Sequence, residues 1–170
     1  MKNKKTIVIT ICLILIIVLI VGYFSLFKNK QDVNFVSEKA RETTNYSMFF
    51  TVSGCINTYY NYLSIKDDES IMKLLNSDYV KKNKINKDNV FNKLNNYDGN
   101  IVSFKAKKMY ETKLNNKITI YYAYGDIYFD TINGSEKNGE SYLEVRIDNS
   151  SRLFDIIPMD KSSYEEVLNG

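Results

Sequence analysis

The chain has 170 residues, 23 of them basic and 20 acidic, for a formal net charge of +3. Two cysteines exclude a disulfide framework, and the absence of histidine removes the commonest general base near neutral pH. All 20 acidic residues and 18 of the basic ones follow residue 30, so the positive balance belongs to the N-terminal flanks and is no argument for a nucleic-acid partner; none is expected.

Residues 6–27 form one apolar run without charge or proline. As a helix it spans about 33 Å, against a bilayer hydrocarbon core of about 30 Å. Lys2, Lys4 and Lys5 precede the run, and Lys28 and Lys30 follow it. The positive-inside rule therefore places residues 1–5 in the cytosol and the rest of the chain outside a cell membrane crossed once. A cleaved signal peptide needs a shorter apolar core and small residues at its end. Here Tyr23, Phe24 and Phe27 stand at that end. Val52, Ser53, Gly54 and Cys55 resemble a lipobox, but the preceding residues 28–47 are polar. A pilin needs a glycine before the run and an acid within it, and Lys5, Thr6 and Ile7 stand at this border instead. The expected arrangement is an uncleaved transmembrane helix, 6–27, and a polar stalk, 28–47.

A domain over 48–170 follows. Phe49, Val52, Ile56, Tyr59, Tyr60 and Leu63 recur at helical spacing, with Cys55 on the buried side. Gly54 weakens this helix and is expected to admit a close neighbour. Asp67 or Asp68 offers an N-cap for a second helix carrying Ile71, Met72, Leu74 and Leu75. Residues 81–87 are polar and basic, and Asp88 is expected to cap a third helix with Val90, Phe91 and Leu94.

After Gly99 the period changes to two. Val102, Phe104 and Ala106 begin a strand, with a bulge expected at Lys107 and Lys108. Asn115 and Asn116 make a hairpin turn into Ile118, Ile120, Tyr122 and Tyr124, and Gly125 is expected to bend that strand before Ile127 and Phe129. Residues 133–139 read as a loop. Leu143, Val145 and Ile147 mark a further strand, and 153–157 another, closed by Pro158. Ser162 or Ser163 starts a short terminal helix.

Helices first and four or five antiparallel strands after them make an α+β pattern, with the helices on one face of a curved sheet. With its N-terminal anchor, this order resembles the nuclear transport factor 2-like (cystatin-like) cone fold. Membrane-anchored bacterial versions include the assembly-factor subunit of type IV secretion systems and its conjugation relatives. The stretch from Phe49, Phe50, Thr51 and Val52 to Tyr79, Val80, Lys81, Lys82 and Asn83 also resembles small membrane-anchored proteins of clostridia. So does the stretch from Val145, Arg146, Ile147 and Asp148 to Ile157 and Pro158. The likeness covers about residues 48–158, rests on element order, and carries no functional residue with it. Usage rich in Lys, Asn, Ile and Tyr fits an AT-rich, Gram-positive bacterial genome.

Tyr121, Tyr122, Tyr124 and Tyr128 crowd one strand, and Tyr59, Tyr60 and Tyr62 the first helix. Enzymes of the cone fold keep polar groups between helix and sheet. There Tyr122 with Asp126 or Asp130 would make an acid–base pair and Tyr59 would complete the pocket. Tyrosine also favours strands and half-buried surfaces for structural reasons alone. Asp67, Asp68 and Glu69 lack the alternation and glycine of a calcium loop and read as helix capping. Lys81, Lys82, Lys84, Lys87 and Lys93 read as a solvated surface, with anionic headgroups or wall polymers as the alternative. Cys55 lacks the histidine a nucleophile needs. No metal cluster, cofactor motif or phosphate loop is present. The expectation is a non-enzymatic envelope protein that binds other envelope proteins or itself. The alternatives are a small-ligand or peptide sensor and, last, an enzyme on the same fold.

Overall fold

A helix forms where the apolar stripe meets a cap. In the computed structural model, which describes residues 39–94, 101–131 and 133–170, α1 spans Tyr46–Ser64 and Asn45 caps it, its side chain accepting from the Met48 amide at 3.2 Å. The expected stripe is the buried one: Val52, Ile56, Tyr59, Tyr60 and Leu63. Gly54 faces away from it, and a Cβ there would meet nothing within 4 Å. The close neighbour expected at Gly54 is absent because the residue lies on the solvent side of the helix.

Lys66, at φ 54°, turns the chain sharply, and Asp67 caps α2 (Asp68–Leu74) by accepting from the Ser70 amide. Asn76 caps α3 (Ser77–Asn83), accepting from the amides of Asp78 and Tyr79. This helix occupies part of the basic stretch. The helix expected from Asp88 is one turn, α4 (Val90–Lys93), entered from Asn89. Asn86 and Asn89 exchange amide-to-side-chain hydrogen bonds, 2.8 and 3.0 Å, and Asn89 also donates to the Lys84 carbonyl. That closed loop takes the place of an Asp88 cap. Ile71, Leu75, Ile85, Val90 and Leu94 join the core under α1.

Among the described residues five antiparallel strands make one sheet in simple order, β1 (Arg41–Glu42, ahead of α1), β2 (Ile101–Lys113), β3 (Ile118–Thr131), β4 (Gly134–Asp148) and β5 (Phe154–Met159). β1 lies within the segment read as a stalk and pairs with Tyr110 and Glu111 of β2. The Asn115 carboxamide closes the β2–β3 hairpin by accepting from the amides of Lys117 and Ile118. The expected bulge is present, between Ala106 and Lys108. β3 runs on past Gly125 without a break. A Cβ at Gly125 would stand 2.3 Å from the Lys105 carbonyl and 2.7 Å from the Phe104 ring, so the glycine serves close approach.

Residues 134–139, expected in a loop, are the first part of β4, in register with β3 from Thr131↔Gly134 onward. A second bulge lies here: Lys137 pairs with Tyr128 and Gly139 with Ile127, leaving Asn138 extra. These side chains are mostly exposed, so no apolar alternation announces the strand, which the backbone ladder to β3 holds instead. Pro158 lies inside β5. Among the described residues no strand pairs with the outer edge of β5, which takes a bridge from Leu75 to Ile156 and a hydrogen bond from the Asn76 amide to the Ile156 carbonyl, and such an edge tolerates proline.

The sheet is covered on both faces. Tyr121, Ala123, Ile127, Leu143, Val145 and Ile147 point into the main core beneath the helices. Ile120 and Tyr122 point the other way, where α5 (Lys161–Asn169) lays Tyr164, Val167 and Leu168 on them. Asp160, rather than Ser162 or Ser163, caps α5, accepting from the Ser163 amide at 2.7 Å. The α+β class therefore holds, but helices on one face do not: α5 occupies the second. Among the described residues no helix is long and apolar enough to cross a membrane. The apolar run 6–27 lies outside them.

Candidate functional site

Strand parity decides where the candidate tyrosines go. Along β3, residues 122, 124, 126 and 128 share one face and 121, 123 and 127 the other. Tyr121 and Tyr59 are buried in the main core, and Tyr122 lies under α5 on the outer face. The sheet thus separates Tyr59 from Tyr122 and Asp126, and the three do not share a pocket. Tyr122 and Asp126 are four residues apart, roughly 13 Å along the strand, and Asp130 is farther still. None of these carboxylates reaches the Tyr122 hydroxyl for proton transfer. Burial, followed by the nearby Glu144 carboxylate, pushes the Tyr122 phenol up to about 12. Asp130 is exposed and accepts from the Ser135 hydroxyl.

Asp126 belongs to a charge network on the outer face. Its carboxylate is 2.7 Å from Lys107 Nζ and 2.8 Å from Lys137 Nζ. Glu140 lies 3.7 and 4.0 Å from the same two lysines and accepts from the hydroxyls of Tyr124 and Tyr142. The rings of Tyr124 and Tyr142 stack at 5.0 Å, and Tyr164 of α5 sits 5.1 Å from Tyr142. The Lys107 and Lys137 hydrogen bonds hold the Asp126 carboxyl below its ordinary range. A carboxylate matched this way resists protonation and makes a poor general base near pH 7. The network ties β2, β3 and β4 together on the outer face, beside the part that α5 covers.

A cleft of about 370 Å³ lies at the end of β5, where Pro158, Met159 and Asp160 lead out of the sheet. Four consecutive residues of β4, Glu140, Ser141, Tyr142 and Leu143, line it. Consecutive strand residues point to opposite faces, so a cleft touched by all four lies against the strand's edge. Tyr59 and Tyr60 of α1, Tyr79 and Asn83 of α3, and Lys93 and Leu94 form the opposite wall. The Tyr60 hydroxyl and the Ser141 hydroxyl hydrogen-bond across it. Of the three residues expected to make a pocket, Tyr59 alone is in this one. Tyr60, Tyr79, Asn83, Ser141 and Tyr142 went unnoticed as a group because no local pattern announces where a neighbouring strand stops.

The other candidates resolve into structure. Asp67 caps α2, and Glu69 pairs with Lys87 at 2.8 Å. Lys81, Lys82 and Lys84 are exposed. Burial pushes the Cys55 thiol up to about 11, which leaves it unreactive at neutral pH. Among the described residues no group of three or more histidine, cysteine, aspartate or glutamate side chains could hold a metal ion.

No family model, curated protein or solved structure matches this chain.

Proposed function

We propose that this is a single-pass membrane protein whose outward domain works as an interaction module of the cell envelope, without enzymatic activity. The anchor is 6–27, the N-terminus is cytoplasmic, and the partners are envelope proteins of a secretion or conjugation type of assembly, or further copies. Kinship with the nuclear transport factor 2-like fold belongs to the same proposal and rests on the order of helices and meander. The observation that carries the reading is what has become of the acid–base candidates. Tyr122 is packed under α5, and Asp126 is neutralised by Lys107 and Lys137. The residues with the most chemical promise hold the sheet together instead.

Crosslinking of the full-length chain in its native membrane, followed by pull-down and mass spectrometry, tests this. The proposal predicts recovery of envelope proteins, and recovery of no protein at all would count against it. The cleft of about 370 Å³ favours a second reading, a domain that binds a small ligand or peptide. That reading predicts a rise in melting temperature with one member of a broad metabolite and peptide screen, and a flat screen would remove it.

A further inference from the structure

One end of the sheet gathers two turns and the entry of the chain. The Asn149 amide, in the β4–β5 turn, donates to the Lys117 carbonyl of the β2–β3 turn at 2.7 Å. Arg41 of β1 stands opposite Glu111, and Lys39, Arg41 and Asn45 border one hollow with Lys113 and Thr119. Asn45 caps α1, so that helix also starts here. Among the described residues the exposed large apolar side chains are Tyr46 at 82%, Phe50 and Leu153 at 73% and Ile65 at 63%. All but Ile65 stand at this end. α1 carries no charged side chain in its 19 residues, so its outward side lacks the charges a helix facing water normally shows.

Around these apolar groups the charge is positive. Lys39, Arg41, Lys113, Lys117 and Arg152 are exposed. The acids nearby are fewer and engaged. Glu111 takes Arg41 and the Thr43 hydroxyl, Asp148 accepts from Ser150 and Ser151 within its own turn, and Glu42 lies near Tyr164 of α5. Apolar side chains ringed by Lys and Arg suit a bilayer surface, where the former enter the headgroup layer and the latter lie along the phosphates. Chain length supplies the third observation. Residues 28–38 separate the apolar run from Lys39. A chain of that length spans at most about 40 Å, and a flexible one averages roughly 20 Å from end to end. A tether so short keeps the local lipid concentration high, and weak contacts then suffice.

We propose that this end of the domain seats on the anionic bilayer surface beside the anchor, with Tyr46, Phe50 and Leu153 in the headgroup layer and the five basic side chains along the lipid phosphates. The inference rests on the membrane-anchored reading and gives the outward domain a set face toward the membrane.

The chain has no tryptophan, so a single introduced indole reports its own surroundings. Full-length Phe50→Trp, Leu153→Trp and Ile65→Trp variants are reconstituted in vesicles of phosphatidylglycerol and phosphatidylcholine with bromine, a short-range quencher, high on the acyl chains. Ile65, just past the C-terminal end of α1, is the control position. The expected result is emission from Phe50→Trp and Leu153→Trp that moves to shorter wavelength and is quenched by bromine, while Ile65→Trp keeps the emission of an indole in water. The quenching should weaken in vesicles of phosphatidylcholine alone, and equal quenching in both would overturn the part given to the basic side chains. Three variants alike and unquenched would overturn the proposal. A shift to shorter wavelength without quenching would mean that protein covers this end and would overturn the lipid occupant; loss of that shift on dilution into more lipid would identify a second copy, and its persistence a segment of the same chain. An alkaline wash separates the two readings. A chain retained by the vesicles but unquenched leaves the anchor standing, and a chain washed off overturns both.

Discussion

Gly54 and Gly125 have the same side chain and opposite duties. Gly54 lies in the middle of α1 on its solvent side, with open space where a Cβ would go. Gly54→Ala is expected to stabilise the fold by about 1 kcal/mol, the helix-propensity difference, as measured by urea denaturation. At Gly125 the added carbon meets the Lys105 carbonyl and the Phe104 ring, and neither can move away freely. Gly125→Ala is expected to destabilise by about 1–3 kcal/mol, the usual cost of overpacking. Titration is also legible at single residues. Asp148 is held down to about 2, first by the Ser150 hydroxyl and then by the Ser151 and Ser150 amides. A carboxyl with a lowered folded pKa stabilises fully above its unfolded value, near 3.8 here, and loses that contribution as pH falls toward about 2. Asp126, Asp67 and Asp160 shift in the same direction. The denaturation midpoint should therefore stay level from pH 7 to about 4.5 and fall steeply below that range. A midpoint that begins to fall at pH 6 would contradict this assignment.

At the scale of elements, junctions matter more than lengths. Asn76 caps α3, donates through Nδ2 to Asp155 at 3.0 Å and, through its amide, to the Ile156 carbonyl on the β5 edge. Asn76→Ala removes a cap and leaves a partly buried carboxylate short of a donor. A loss of about 2–3 kcal/mol is expected in the same urea assay. The outer-face network gives a paired test. Replacing both Lys107 and Lys137 with Met leaves Asp126 without a cation, so the fold should weaken and Asp126→Asn in that background should restore it. No recovery would mean that the lysines act through their stems alone.

How much of this was readable follows from what each element buries. The stripe of α1 and the alternation and bulge of β2 were legible because one face of each meets the core. The first part of β4 was not, because solvent meets most of its side chains and only the backbone ladder marks it. α3 buries no residue fully, and its cap at Asn76 carries no pattern of its own. For the site, period two already puts Tyr122, Tyr124 and Asp126 on one face. That Tyr59 lies across the sheet from them needed the tertiary packing, in which Ile120 and Tyr122 belong to α5.

For the whole molecule the account depends on which side of a membrane residues 39–170 occupy. Lys2, Lys4 and Lys5 against Lys28 and Lys30 favour the outside by a narrow margin. The proposed partners and the proposed envelope setting rest on that orientation. The most direct test is labelling of intact cells with a membrane-impermeant maleimide. The chain would carry Cys12→Ala and Cys55→Ala, with one new cysteine replacing the exposed Ser162. The account predicts full labelling without lysis, and a chain that stays in the membrane fraction. Labelling only after lysis, or recovery of the chain in the soluble fraction, would contradict it.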